Sequence, residues 1–323
     1  MKYNKEILGI MLRRLKELLF GAAALSGLIL LIWSLVGFNG DDPAGFDLNG
    51  DVQKVKSFPV PDSLTFAGER VPLENFDTRE SFDRELNTNA YRHSSTILLI
   101  KRAHRYFPVI EPILKEYGVP DDFKYVAVAE SDLSNAISPA KATGYWQFMD
   151  ATAKEYGLEI NREVDERYHL EKATEAACKY FLKSHDKYNN WTIVAASYNR
   201  GSNGVNRQIR IQGQADYYNL LLPEETARYL FRILSYKTIF TDPVKYGFSI
   251  PENQLYPEIE YRTVKVDTAI ASFADFAHLH GTNYKILKSF NPWLRQPHLT
   301  NKAGKEYLIK VPLEGARTSA YND

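Results

Sequence analysis

Pro120-Asp121-Asp122-Phe123-Lys124-Tyr125-Val126-Ala127-Val128-Ala129-Glu130-Ser131 is the stretch on which the fold class turns. An early proline and two acidic groups suit the positive end of a helix dipole, so the spacing predicts a helix from Phe123 to about Glu130. Phe123, Val126 and Ala127 make an apolar stripe at intervals of three and four, and the next place on it belongs to Glu130. Burying a carboxylate is costly, so such a group either finds a cation or stays protonated near neutral pH, where it can act as a general acid. This helix alone leaves two readings open, a catalytic acid or a glutamate that escapes to water or an arginine at the helix end. Asp132 is no obvious second carboxylate, since two residues is about 200° around a helix; it reads as a solvated helix-end residue.

The helical pattern extends on both sides. Upstream, Leu98, Ile100, Ala103, Phe107, Ile110, Ile113 and Leu114 recur at helical spacing until Gly118-Val119-Pro120. Downstream, Trp191, Val194, Ala195 and Tyr198 share one face, and Asn199-Arg200-Gly201 marks its end. After Pro251 the pattern changes to short alternating runs at residues 258–266 and 307–311, which predict strands flanking helices. Residues 39–78 mix Gly, Asp, Pro and scattered apolar residues without a period, as a tether does.

Leu18 to Phe38 is 21 residues without a charge, enough at 1.5 Å per residue to cross a hydrocarbon layer of ~30 Å. Lys2, Lys5, Arg13, Arg14 and Lys16 precede it and Asp41 and Asp42 follow it. The positive-inside bias therefore predicts an uncleaved single-pass anchor through residues 18–38 in the cytoplasmic membrane, its N-terminus cytoplasmic. The division expected is a basic stub and anchor at 1–38, a linker at 39–78, a helical main domain at 79–250 and a small α+β module with tail at 251–323.

The 323 residues carry 40 basic and 40 acidic groups. Beyond residue 38 no basic run appears, which argues against nucleic acid as a partner. The single cysteine, Cys178, excludes an internal disulfide and a cysteine zinc site, and reads as a small buried hydrophobe. His169 and His185 lack a partner at metal-ligand spacing and read as surface histidines; neither a metal nor a cofactor is expected. The 21 Tyr, 17 Phe and 4 Trp suit cores and also sugar faces.

Several motifs then fall in order. Ala129-Glu130-Ser131 is followed by Gly144-Tyr145-Trp146-Gln147-Phe148-Met149, by Ala151 to Leu158, by Val164-Asp165-Glu166-Arg167, by Ser197-Tyr198-Asn199-Arg200-Gly201 and by Pro223-Glu224-Glu225-Thr226-Ala227-Arg228-Tyr229. The set resembles the catalytic domain of the soluble and membrane-bound lytic transglycosylases, lysozyme-like helical enzymes acting on peptidoglycan, and its arrangement most resembles the membrane-bound D type.

The resemblance implies a mainly α, lysozyme-like catalytic domain lying in the periplasm beyond the transmembrane helix. It implies that Glu130 protonates the β-1,4 bond between N-acetylmuramic acid and N-acetylglucosamine, then takes a proton from the C6 hydroxyl as a 1,6-anhydro ring closes. Tyr198 would orient Glu130. Ser131, Gln147, Met149 and Asn199 would line sugar subsites, with Glu225 and Tyr229 on the far wall. Most glycosidases use two carboxylates, so a one-carboxylate site fits this chemistry. The rival readings are a hydrolytic muramidase like goose-type lysozyme and an inactive wall-binding scaffold.

Trp146 and Phe148 are expected in the core rather than a subsite, and Asp165-Glu166-Arg167 as a salt-bridged bend. Two departures from the resemblance stand out: Lys141 replaces a usual glycine and Ser197 a frequent alanine. The stretch from Tyr261 to Thr268, with Phe273-Ala274 and Leu287 to Leu294, resembles a diverged LysM module, in which Val266 stands where a glycine is expected. It either binds N-acetylglucosamine chains or braces the catalytic domain.

Overall fold

The computed structural model describes residues 56–319. The anchor expected at residues 18–38 and the first part of the 39–78 linker lie outside them; among the described residues no helix is long and apolar enough to cross a membrane.

The main domain is helical, as expected. Helix α1 (Phe76–Tyr91) leads into the long α2 (His93–Tyr117), which ends where Gly118, at φ +71°, turns its N–H back to the carbonyls of Leu114 and Lys115. Its buried face is Thr96, Leu99, Ala103, Ile110 and Leu114. Leu98, expected on that face, is exposed, and Leu99 takes its place. After a single 3₁₀ turn at Asp121–Phe123 comes α3 (Lys124–Ser131), then α4 (Asp150–Glu155), α5 (Leu170–Tyr188), α6 (Trp191–Arg200), α7 (Ser202–Gln212) and α8 (Glu224–Thr241). Helix α8 is the pillar: it packs on α1, α3 and α6, burying Tyr229, Leu230, Ile233, Leu234 and Tyr236 among them. Its join with α1 is also polar, with Asn89 donating to Ser235 at 2.6 Å and buried Glu85 held by Arg228 at 2.7 Å. Such buried polar groups are tolerated because each is answered. Cys178 is buried, and burial pushes its thiol up to about 12, so it behaves as the hydrophobe expected.

The linker expectation fails from Phe58 onward. Phe58, Phe66, Val71 and Leu73 are buried in the main core, and a two-residue hairpin, β1 (Thr65–Phe66) with β2 (Glu69–Arg70), straps the helices together. Ala67 donates its N–H to Asp122 at 2.7 Å, and Lys237 bridges Asp122 and the Thr65 carbonyl. The Glu69 carboxylate accepts from the N–H groups of Trp191 and Thr192, satisfying the open donors at the start of α6. These apolar residues have no helical or strand period, which is why composition alone reads them as tether.

The C-terminal module has the expected strand–helix–helix–strand order. Strand β3 (Tyr261–Val266) pairs antiparallel with β4 (Tyr307–Pro312), Tyr261 opposite Pro312 and Val266 opposite Tyr307. Helices α9 (Phe273–Leu279) and α10 (Tyr284–Phe290) lie between them in sequence, α10 packing on β4, and a last turn, α11 (Ala316–Ser319), follows. Val266, standing where the resemblance expects glycine, is buried in a small core with Phe273, Leu287, Trp293 and Ile309, and Val164 and Tyr168 of the main domain complete that core. The two domains therefore share apolar surface. Polar ties run beside it: Asp165 N–H to the Trp293 carbonyl at 2.9 Å, Arg295 N–H to the Glu163 carbonyl at 2.7 Å, and ion pairs Lys305–Glu159 and Lys310–Glu171.

Candidate active site

Helix α3 delivers Glu130. Phe123, Val126 and Ala127 are buried as the stripe requires, but so are Tyr125 and Val128, so protein surrounds the helix on nearly every side. It ends where Asp132 turns left-handed at φ +53°. Glu130 sits one residue before the helix's last and is half-buried.

Burial pushes the Glu130 carboxyl up to about 7. The Tyr229 hydroxyl donates to Oε1 at 2.5 Å and pulls the other way, the charge of Glu225 adds to the rise, and Arg232 opposes it. Glu225, Tyr229 and Arg232 lie at intervals of four and three on α8, so one face of that helix meets the carboxyl. A carboxyl poised near neutrality holds a proton for part of the population and releases it in the rest, which general acid–base exchange requires. Arg232 was missed from the sequence, although it lies three residues beyond Tyr229 on the same helix face.

The loop between α3 and α4 walls this side. Thr143 makes isolated β-bridges to Ile137 and Phe148, and the loop is fixed at three points. Ser131 Oγ donates to the carbonyls of Tyr145 at 2.7 Å and Ala127 at 3.1 Å. Arg167, paired with Asp165 through Nε at 2.9 Å and Nη2 at 2.7 Å, directs Nη1 at the Phe148 carbonyl, 3.3 Å away. Third, Gly144 packs onto the Arg167 backbone: at φ +84°, a Cβ there would lie 1.9 Å from the Arg167 carbonyl oxygen. No side chain fits, so the first glycine of the Gly-x-Trp-Gln motif is a contact requirement. Lys141 has φ +67°, a conformation glycine adopts without the roughly 1–2 kcal/mol that a Cβ adds. The departure at Lys141 is thus a strained residue on the loop's outer turn.

Tyr198 does something other than expected. Its hydroxyl donates to the Trp146 carbonyl at 2.7 Å, and its ring packs with Tyr180, Phe181 and Phe148. Burial raises its phenol well above the usual range, and the nearby charge of Glu130 contributes, so it adjoins the acid while holding the loop. The hydrogen bond to Glu130 comes instead from Tyr229, which is fully buried. Ser131, expected in a subsite, gives its hydroxyl to the protein as described. Gln147, at φ +49°, donates Nε2 to the carbonyls of Ala136 at 3.0 Å and Gly144 at 2.8 Å. Asn199 Oδ1 accepts from Thr226 at 2.9 Å, Glu225 is exposed, and Met149 is 46% exposed. Trp146 and Phe148 are core, as expected; the Trp146 indole donates to Thr174 at 2.9 Å.

The two histidines correct their surface reading. His185 is half-buried and stacks on Trp191, ring centroids 3.9 Å apart. His169 is half-buried between Trp293 and Glu171, its Nδ1 3.2 Å from the carboxylate.

Comparison with known proteins agrees with the motif order. Residues 108–221 match the transglycosylase SLT domain and residues 262–315 match the soluble lytic transglycosylase C-terminal LysM-like domain. Two relatives from Escherichia coli strains, each a membrane-bound lytic murein transglycosylase D, are 27% identical over 267 residues, which is 80% of this chain. The chain spans 57% of their length.

Proposed function

Starting from an SLT transglycosylase domain joined to a LysM-like module, we propose that this chain is a peptidoglycan lytic transglycosylase with Glu130 as its one acid/base. The observation that carries the reading is the half-buried Glu130 carboxyl, pushed up to about 7 and held by Tyr229 near the C-terminal end of α3. Protonated, it gives its proton to the glycosidic oxygen between N-acetylmuramic acid and N-acetylglucosamine as that C–O bond breaks. Ionised, it takes the proton of the muramic C6 hydroxyl, whose oxygen bonds to the anomeric carbon and closes the 1,6-anhydro ring. No water is consumed and Glu130 ends as it began. Tyr229 fixes the carboxyl's orientation and Tyr198 fixes the loop wall beside it. Glu225, Met149 and Asn199 border the cleft, while Ser131 and Gln147 shape it from behind.

In this reading residues 18–38 anchor the chain in the cytoplasmic membrane and hold the catalytic domain on the periplasmic side. The uncharged 21-residue stretch and its basic flank support this, as does the membrane-bound description of the relatives. The catalytic domain is best bounded at 57–250, because Phe58 to Leu73 belong to its core.

The test is to digest purified sacculi and weigh the muropeptides. Anhydro ends, lighter than reducing ends by one water, are expected. Reducing ends alone would make the protein a hydrolytic muramidase, and no release at all a wall-binding scaffold.

A further inference from the structure

A half-buried carboxyl such as Glu130 either works as an acid or pairs with an arginine, and α8 carries an arginine whose charge acts on it. Arg232 lies three residues beyond Tyr229, whose hydroxyl donates to Glu130 Oε1 at 2.5 Å. Among the described residues, however, Arg232 makes no ion pair with Glu130. Its Nε lies instead 4.0 Å from Oε2 of Glu85, on α1. Helix α8 packs on both α1 and α3, so Arg232 has an acid from each helix to choose between.

Glu85 is 1% exposed and is answered by arginines. Arg228 Nε is 2.7 Å from Oε1 and Arg84 Nε is 3.4 Å from the same oxygen, which leaves Oε2 to Arg232. Arg228 also reaches Glu224 at 3.5 Å, whereas Glu85 is the one acid paired with Arg232 among the described residues. Tyr236, four residues beyond Arg232, feels the charges of both Glu85 and Arg232 together with those of Asp132 and Arg92. Where solvent screens weakly, a guanidinium is drawn strongly to a nearby carboxylate, and a buried carboxylate requires its cations. The other groups that adjoin Glu130 are Glu225 and Tyr229 from α8 and Tyr198 from α6. Arg102 of α2 gives Nη1 to the Asp132 carbonyl at 2.9 Å. Arg232 is the cation that acts on the Glu130 carboxyl, and Glu85 is what occupies it.

We propose that Glu85 is a positioning residue for the reaction: from α1 it holds the Arg232 guanidinium back from Glu130, so that a tyrosine and not an arginine is the partner of the acid. An arginine seated on Glu130 would fix the carboxyl in its ionised form, which has no proton to give to a glycosidic oxygen. The proposal rests on the catalytic reading of Glu130 and extends its machinery to a helix that does not touch the carboxyl.

The experiment uses the full chain with Glu85→Gln, Arg232→Gln and both changes together. Two readouts are followed across pH: kcat and KM on soluble peptidoglycan fragments, and the Glu130 carboxyl carbon resonance, identified by its loss in Glu130→Gln. In Glu85→Gln the titration midpoint and the alkaline limb of the rate should both fall by about 1 pH unit, the size of an opposite charge brought near. The rate at pH 8 then drops about tenfold with KM unchanged. Arg232→Gln should move the midpoint upward, and adding Glu85→Gln to it should change nothing further, since the arginine carries the coupling. An equal loss of rate at every pH with an unmoved midpoint would reduce Glu85 to a structural role, and a downward shift that persists without Arg232 also overturns the proposal. Should Glu85→Gln not fold, Glu85→Asp keeps the buried charge but draws it back from Arg232; a smaller downward shift is expected, and none overturns the proposal. A moving resonance without anhydro ends would defeat the catalytic reading and spare the placement of Arg232, whereas anhydro ends with an immobile resonance would do the reverse.

Discussion

Two glutamates, Glu130 near the end of α3 and Glu171 at the domain seam, are both half-buried, and their environments drive them in opposite directions. Burial raises both. At Glu171 it is overcome by the His169 ring and the Lys310 ammonium, which together hold the carboxyl down to about 2. At Glu130 a phenol is the only hydrogen-bond partner among the described residues, Glu225 adds to the rise, Arg232 offsets too little, and the carboxyl stands at about 7. Burial thus sets the tension, and the partners decide whether a carboxylate becomes a structural tie or a proton carrier.

Replacing Glu130 with Gln tests the cleft side most severely. Cleavage of sacculi should fall about 10²–10⁴-fold, the usual worth of a positioned acid/base. The same change should stabilise the protein above pH 7. In the unfolded chain the glutamate ionises near 4.5 while the native one keeps its proton to about 7, so native stability is lost as pH rises between those values. A neutral Gln escapes that loss, on the order of 2–3 kcal/mol by urea denaturation at pH 8 and vanishing near pH 4.

Gly144→Ala presses the cleft loop against the seam segment at Arg167. With a Cβ only 1.9 Å from a backbone oxygen, it should cost roughly 3–5 kcal/mol, combining steric overlap with a left-handed alanine; a urea midpoint near wild type would show the loop free to move. Lys310→Met should convert Glu171 toward the Glu130 condition. A loss of about 1–3 kcal/mol at pH 7 is expected from stranding a half-buried carboxylate. Because Glu171 is depressed, its contribution exists above about pH 4.5 and fades as pH falls toward 2, so the variant and wild type should converge in acid.

The smallest effect belongs to Tyr229→Phe. Its hydrogen bond favours the ionised carboxylate, so removing it should move the alkaline limb of the pH–rate profile to higher pH, with a stability cost of about 1 kcal/mol. A limb that stays put would reduce Tyr229 to packing.

Much of this contrast was legible in sequence on the Glu130 side. Three-and-four spacing put the carboxyl on the inward face of α3, whereas Glu225 and Tyr229 were named only through the motif resemblance. Which hydroxyl reaches the carboxyl was not legible, because helical phase gives a direction and not a distance. Tyr198 and Tyr229 both point inward, and only packing decided that Tyr198 meets the Trp146 carbonyl. The slip from Leu98 to Leu99 has a similar origin, since neighbouring leucines differ little in phase. The strands of the module announced themselves by alternation, whereas the ion pairs of the seam join residues about 140 apart in sequence, as Glu171 and Lys310 do, and leave no local pattern. Residues 58–73 were opaque for the same reason: beyond the short hairpin, the partners that bury Phe58 and Phe66 and hold Ala67 and Glu69 are remote.

That strap also orders events in time. During synthesis Ala67 must wait 55 residues for Asp122, Glu69 must wait 122 for the start of α6, and Thr65 must wait 172 for Lys237. Until then Phe58 and Phe66 have no complete core to enter, and the Glu69 carboxylate has no helix start to cap. Contacts of such long sequence separation form slowly. The catalytic domain is therefore expected to mature late, when the chain through α8 has emerged, with its earliest apolar residues exposed to chaperones in the interval.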